Sequence, residues 1–269
     1  MSMQKGAAPE IQHPSVGALL AAHPGESDPE KLIKRLARAK VAYAKSFGWG
    51  GPPFCPIKFS SLFKVQCNEV SHDIGGDGRI LLNRNGRPEI EFHKDALPER
   101  QRFTIFHEFA HMLFPDYCEF LPHHHTREEI ESLEHRQFEN LCDIGATEML
   151  FPHDEFSDDL KKYSRIDLAA IEDLRKRYFA SIDATTQRAI ALAGEAALSA
   201  AFLTDQQGKH TGSGPLWVKY SKKTSRFNGF IWPGTCPPVD SVANKCHETN
   251  KSFHEPQREV WSVKGQLKS

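Results

Sequence analysis

The stretch from Phe103 to Phe114 is apolar almost throughout, yet it carries His107, Glu108 and His111 in the order H-E-x-x-H. Residues four apart lie one turn apart on the same face of an α-helix, so two imidazoles at this spacing can point at one ion. Glu108 stands about 100° round the helix from His107, near the same edge, where it can reach a water without binding the metal. In a chain with 14 histidines the bare five-residue pattern means little, and its surroundings decide. Those surroundings are Phe103, Ile105, Phe106, Phe109, Ala110, Leu113 and Phe114. A buried helix holds two histidines and a glutamate only where they are paired or ligating. The segment therefore demands a fold that buries this helix and brings a second element against its polar edge.

The second element is the apolar segment Phe138 to Pro152, which contains Glu139 and Asp143 one helical turn apart. Two carboxylates on one face of a buried helix repel each other and lose hydration. A cation and an imidazole N–H remove that cost. Glu139 can be the third metal ligand. Asp143 can accept the second ring hydrogen of a ligating histidine, His107 being the first choice, and so fix its tautomer. The alternative is that both carboxylates face solvent, as expected for Glu134 and Glu148 on the same helix. Imidazole nitrogens suit Zn²⁺, with Mn²⁺ the second choice, and a catalytic site keeps one coordination position open beside three protein ligands. These residues argue for metal-assisted hydrolysis, with Glu108 as the base that takes the proton of the attacking water. Candidates for stabilising the oxyanion are Tyr117, His123, His124, His125, Arg136 and His153.

Composition narrows the remaining classes. Hydrophobic residues at 39% and charged residues at 26% exclude a wholly disordered chain. A net charge of −1 gives no whole-chain case for nucleic acid or membrane. No run approaches the roughly 18 apolar residues that span a bilayer, and no signal peptide is evident. None of the six cysteines forms a C-x-x-C pair, so the expectation is free thiols in a reducing, cytoplasmic setting.

Along the chain, residues 1–27 read as a loose segment rich in Pro, Gly and Ala. Asp28 is a candidate cap for an amphipathic helix reaching about Lys45, with Leu32, Ile33, Leu36, Ala37, Ala42 and Tyr43 on its apolar side. Arg79 to Asn83 and Glu89 to His93 read as strands joined by an Asn-Gly turn. The two site helices follow, at about 100–114 and from residue 127 or later to 150. Residues 156–198 read as helical, with a break at Ala180-Ser181. Beyond Thr204 the chain turns basic, with ten Lys and Arg against five Asp and Glu. Leu216 to Tyr220 and Asn228 to Trp232 read as strands there, and Asp240 to Lys245 as the start of a short helix. Cys236, Cys246, His247 and His254 have a spacing that fits no common metal site.

Taken together, Arg102-Phe-Thr-Ile-Phe-His107-Glu-Phe-Ala-His111 and Glu139-x-x-Cys142-Asp143-x-x-Ala146-x-Glu-Met-Leu-Phe-Pro152 resemble the ImmA/IrrE family of metallo-endopeptidases. The match departs from the family pattern at Cys142, Gly145 and Phe151, which are packing positions. The resemblance covers about residues 30–200. It implies an α+β fold with a mainly helical, zincin-like metallopeptidase core and a small sheet. The implied organisation is a core over 28–155, a helix-turn-helix-like segment over 156–200, and a small β-rich module over 201–269. It also implies a protein substrate, a helix-turn-helix repressor of the XRE type. Direct nucleic-acid binding is left open, because the charges on 167–193 are mixed where a DNA-reading helix shows a basic face. The competing reading is a DNA-binding or toxin–antitoxin-type regulator that keeps the metal site without catalysis. Glu108 separates the two, since a purely structural metal helix has no need of that carboxylate.

Overall fold

A computed structural model describes residues 13–118, 132–193, 198–204, 216–223, 231–238 and 240–249. By packing, the chain divides into two compact units, Met1–Thr185 and Thr186–Ser269. The segment expected as a separate helical piece from residue 156 is, up to Thr185, part of the first unit. Aromatic packing is the reason: Phe151, Phe156 and Tyr178 meet with ring centroids 5.0 to 5.6 Å apart. Asp159 adds a buried anchor by accepting a 2.9 Å hydrogen bond from the Tyr178 hydroxyl.

Within residues expected to be loose, α1 (Pro14–Ala22) forms and buries Val16 and Leu19. Its cap is His13, whose Nδ1 accepts from the Ser15 N–H while its ring stacks on Phe138 at 4.3 Å. Apolar contact thus outweighs a composition that reads as linker. Next, α2 (Pro29–Ser46) starts as expected, with the Asp28 carboxylate accepting from the N–H groups of Glu30 and Lys31. Its buried face is Leu32, Ile33, Ala37, Val41 and Ala44, so Ala42 and Tyr43 turn outward. A short α3 (Pro56–Leu62) precedes the sheet.

The sheet has the order β1–β3–β2, with β1 (Gln66–Val70) parallel and β2 (Gly78–Leu82) antiparallel to β3 (Pro88–His93). The expected hairpin is β2–β3. Its turn closes because the Asn83 side chain accepts from the N–H groups of Asn85 and Arg87, while Gly86 takes φ +70°. Strand β1 went unread because Gln66-Cys-Asn-Glu-Val has no fully buried position and little alternation. Ile80, Ile90 and Phe92 are buried where α4 (Pro98–His111) lies against β2 and β3.

Helix α5 (Leu133–Leu150) packs on both α2 and α4. Gly145 is the point of closest approach: a Cβ there would meet Ala110 Cβ and Leu113 Cδ1 at 3.1 Å and Ile33 Cγ2 at 3.4 Å. A bulky side chain would push the three helices apart. On its other side α4 rests on an aromatic cluster, with Phe59 5.5 Å from Phe106 and 5.0 Å from Phe109. Then come α6 (His153–Leu160), α7 (Leu168–Tyr178) and α8 (Ile182–Leu192), the last two joined by the expected break. The second unit contains an antiparallel pair, β4 (Leu198–Thr204) with β5 (Leu216–Lys223), and α9 (Val242–Thr249). The strand expected at Asn228 to Trp232 falls mostly outside the described residues, and Ile231 and Trp232 are not in a strand. No described helix is long and apolar enough to cross a membrane.

Candidate metal centre

The polar edge of α4 faces α5, and the side chains of His107, His111, Glu139 and Asp143 meet between the two helices. His107 lies between two carboxylates: Nδ1 is 2.8 Å from Asp143 Oδ1 and Nε2 is 3.0 Å from Glu139 Oε2. The other oxygen of Glu139 is 4.0 Å from His111 Nε2. His111 Nδ1 in turn sits 3.5 Å from the Cys142 thiol. The most compact set of potential ligand atoms among the described residues is His107, Glu108 and His111, all within 4.8 Å of one another. Glu139 therefore reaches the imidazole pair from the neighbouring helix, while Glu108 shares the helix of the pair.

Glu108 is only 8% exposed, and its carboxylate takes a hydrogen bond from the backbone N–H of Ile80 on β2. Gly78 makes this approach feasible, since a Cβ there would lie 2.4 Å from Thr104 Cγ2 and 3.2 Å from Glu108 Cγ. A cleft of about 250 Å³ opens at this point, lined by Asp77, Gly78, Phe103, Thr104, His107, Glu108 and Asp143.

The electrostatics follow from burial and charge. Burial pulls the His107 imidazole down, but its hydrogen bonds to Asp143 and Glu139 and the charge of Glu108 prevail and lift it to about 10. Burial drives His111 the other way, to about 4, so it stays neutral with a lone pair available. Burial alone would raise Glu139, yet His107, His111 and His135 hold it at about 2. Glu108 is pushed up to about 7 by burial, with His107 opposing and Glu139 reinforcing. Three carboxylates thus crowd two imidazoles, with Glu108 buried and Asp143 more than half exposed. This donor set, two nitrogens and a carboxylate oxygen with surplus negative charge, fits a divalent cation of the zinc class.

Other expectations resolve differently. Glu148 does not face solvent: it is 1% exposed and accepts two hydrogen bonds from Arg38, 2.9 Å from Nε and 3.1 Å from Nη2. Among the oxyanion candidates, Arg136 turns back to the Ser132 carbonyl, His153 bonds Asp154, and Tyr117 bonds Cys118. His123, His124 and His125 lie outside the described residues. Cys236, Cys246 and His247 form no metal cluster among the described residues, and His254 lies outside them. Arg102 braces α4 by donating to the carbonyls of Phe54 and Phe179 at 2.6 and 3.0 Å. Sequence reasoning missed His135, whose Nε2 is 3.5 Å from Glu139 Oε1. Its position four residues before Glu139, on the same helix face, was the available signal.

The profile of the IrrE N-terminal-like domain matches residues 69–189, which include both site helices. The chain is 28% identical over 230 residues to the radiation response metalloprotease IrrE of Deinococcus deserti, covering 81% of this chain and 78% of that protein. It is 29% identical over 128 residues to the IrrE of Deinococcus radiodurans, covering 47% of this chain and 34% of that one. A solved Mycobacterium tuberculosis transcriptional regulator superposes with a TM-score of 0.48 at 12% identity, over 87% of this chain and 67% of that one. Residues 69–189 thus match the IrrE N-terminal-like domain, and over most of its length the chain is similar to a radiation response metalloprotease.

Proposed function

We propose that the protein is a zinc endopeptidase that cuts a peptide bond in a partner protein, with His107, His111 and Glu139 as ligands and Glu108 as general base. The observation that carries this reading is the burial of Glu108 beside the imidazole pair, at the wall of the cleft. A carboxylate there is costly for folding and unnecessary for holding an ion. Zinc bound by the three ligands supplies Lewis acidity and lowers the pKa of a water to about 7.

The chain's own residues do the rest. Asp143 accepts the Nδ1 hydrogen of His107 and so directs Nε2 at the ion. Glu108 takes the proton of the attacking water as the water oxygen bonds to the peptide carbon. It then delivers that proton to the departing nitrogen as the C–N bond breaks. Strand β2 lies at an edge of its sheet and touches α4 at Gly78. An extended substrate segment can add to that edge, which would draw its carbonyl past Glu108.

The substrate we infer from the family resemblance is a helix-turn-helix repressor of the XRE type, cleaved in a stress response. The name of the Deinococcus relatives, radiation response metalloprotease, is in keeping with that setting. Six free cysteines fit a reducing cytoplasm. The test is incubation of the zinc-loaded full chain with a purified repressor of this type, with Glu108→Gln as control. Cleavage by the wild type, and none by a Glu108→Gln protein that retains zinc, is the expected result. Undiminished cleavage by Glu108→Gln would remove the base assignment.

A further inference from the structure

We propose that His135 is a positioning residue for Glu139: it engages one carboxylate oxygen, Oε1, and so favours Oε2 as the oxygen that binds the ion. This rests on the metallopeptidase reading of the site and adds to it a control on how Glu139 binds.

Two observations carry the inference. The first is placement. His135 lies one turn before Glu139 on α5, with Nε2 3.5 Å from Oε1, while Oε2 is 3.0 Å from His107 Nε2. Oε1 is also 4.0 Å from His111 Nε2, so His135 is the nearer of the two imidazoles beside that oxygen. The second is rigidity. The His135 backbone N–H is fixed by the Ser132 cap at 3.0 Å, and its ring is 16% exposed. The ring centroids of His13 and Phe138 each lie 6.2 Å away, and those two rings stack on each other.

A glutamate can hold a metal through one oxygen or both. A donor on Oε1 favours one, and the coordination position spared is one a hydrolase needs for water. Groups that orient ligands from outside are worth about 10–100-fold in metal affinity. At 3.5 Å the present contact is longer than a formed hydrogen bond, so about tenfold is expected.

The test uses the full-length protein stripped of metal and titrated with zinc against a chelator, then with cobalt(II) as a spectroscopic stand-in. His135→Phe removes the donor and keeps a ring; His135→Gln restores an N–H at similar reach. His135→Phe should bind zinc about tenfold more weakly and shift the cobalt visible bands toward a higher coordination number, while His135→Gln stays close to wild type in both. Unchanged affinity and an unchanged cobalt spectrum in His135→Phe would overturn the proposal and leave the peptidase reading intact. Loss of one imidazole ligand in His135→Phe, seen by X-ray absorption, would overturn it by making His135 a ligand. A wild-type chain that takes up no zinc would overturn both.

Discussion

Replacing Arg38 should destabilise the fold by about 2 kcal/mol, because the Arg38–Glu148 pair clamps α2 to the helix that carries Glu139 and Asp143. The Glu148 carboxylate is 1% exposed, and Arg38 donates to both its oxygens, at 2.9 and 3.1 Å. Removing one partner of a fully buried ion pair costs about 3–5 kcal/mol. The Arg38 side chain is 44% exposed, so water screens part of the interaction and the lower figure applies. For Arg38→Met the expected loss of about 2 kcal/mol corresponds to a melting shift of about 4–8 °C in a unit of this size. Glu148→Leu should cost less, about 1 kcal/mol, because it leaves a half-exposed guanidinium that water can still reach. The double variant should be no worse than Glu148→Leu alone, since an apolar pair of similar volume replaces a buried ion pair at little cost. Urea unfolding of the four proteins reads the cycle directly. Strictly additive costs, about 3 kcal/mol in the double variant, would refute the claim that both single variants act by breaking the Arg38–Glu148 ion pair.

Further expectations concern the site and its frame. Asp143→Ala should weaken zinc binding about tenfold, the lower end for such partners because the Asp143 side chain is 54% exposed, and Asp143→Asn should keep most of the affinity; chelator competition measures both. Gly78→Ala should lower kcat at least about tenfold, since the added methyl would meet Thr104 at 2.4 Å and Glu108 at 3.2 Å and must displace one of them; full activity with the strand in place would count against the base assignment. Asp159 is held below the usual carboxylate range: burial opposes this, but Lys162, Arg177 and Tyr178 prevail. Its folded pKa being depressed, its contribution to stability is full above about pH 4 and is lost as pH falls through the folded value. Acid unfolding should therefore be shallower in Asp159→Asn, and the two proteins should converge at the lowest pH.

Legibility in the sequence tracked how local each cause was. The Asp28 cap, the Asn-Gly hairpin and the Ala180-Ser181 break depend on neighbours in sequence, and each appears where residue chemistry puts it. The approach of Glu139 and Asp143 to the imidazoles was readable because buried charges need partners, and the apolar residues around them announced burial. Glu148 was misread as solvent-facing because its partner Arg38 lies 110 residues away, beyond any local pattern. Helix α1 and strand β1 are held by tertiary contacts, Val16 and Leu19 in one case and the β3 ladder in the other, that their compositions do not advertise. His135 escaped notice because one imidazole near a carboxylate is unremarkable until the fold places that carboxylate at the site.

The most direct test of the account is zinc-edge X-ray absorption on the full chain loaded with one equivalent of zinc, alongside Glu139→Ala. The account predicts two imidazole nitrogens and one carboxylate oxygen at about 2.0–2.2 Å from zinc, with the carboxylate lost in Glu139→Ala. Sulfur at about 2.3 Å, or a first shell unchanged in Glu139→Ala, would contradict it.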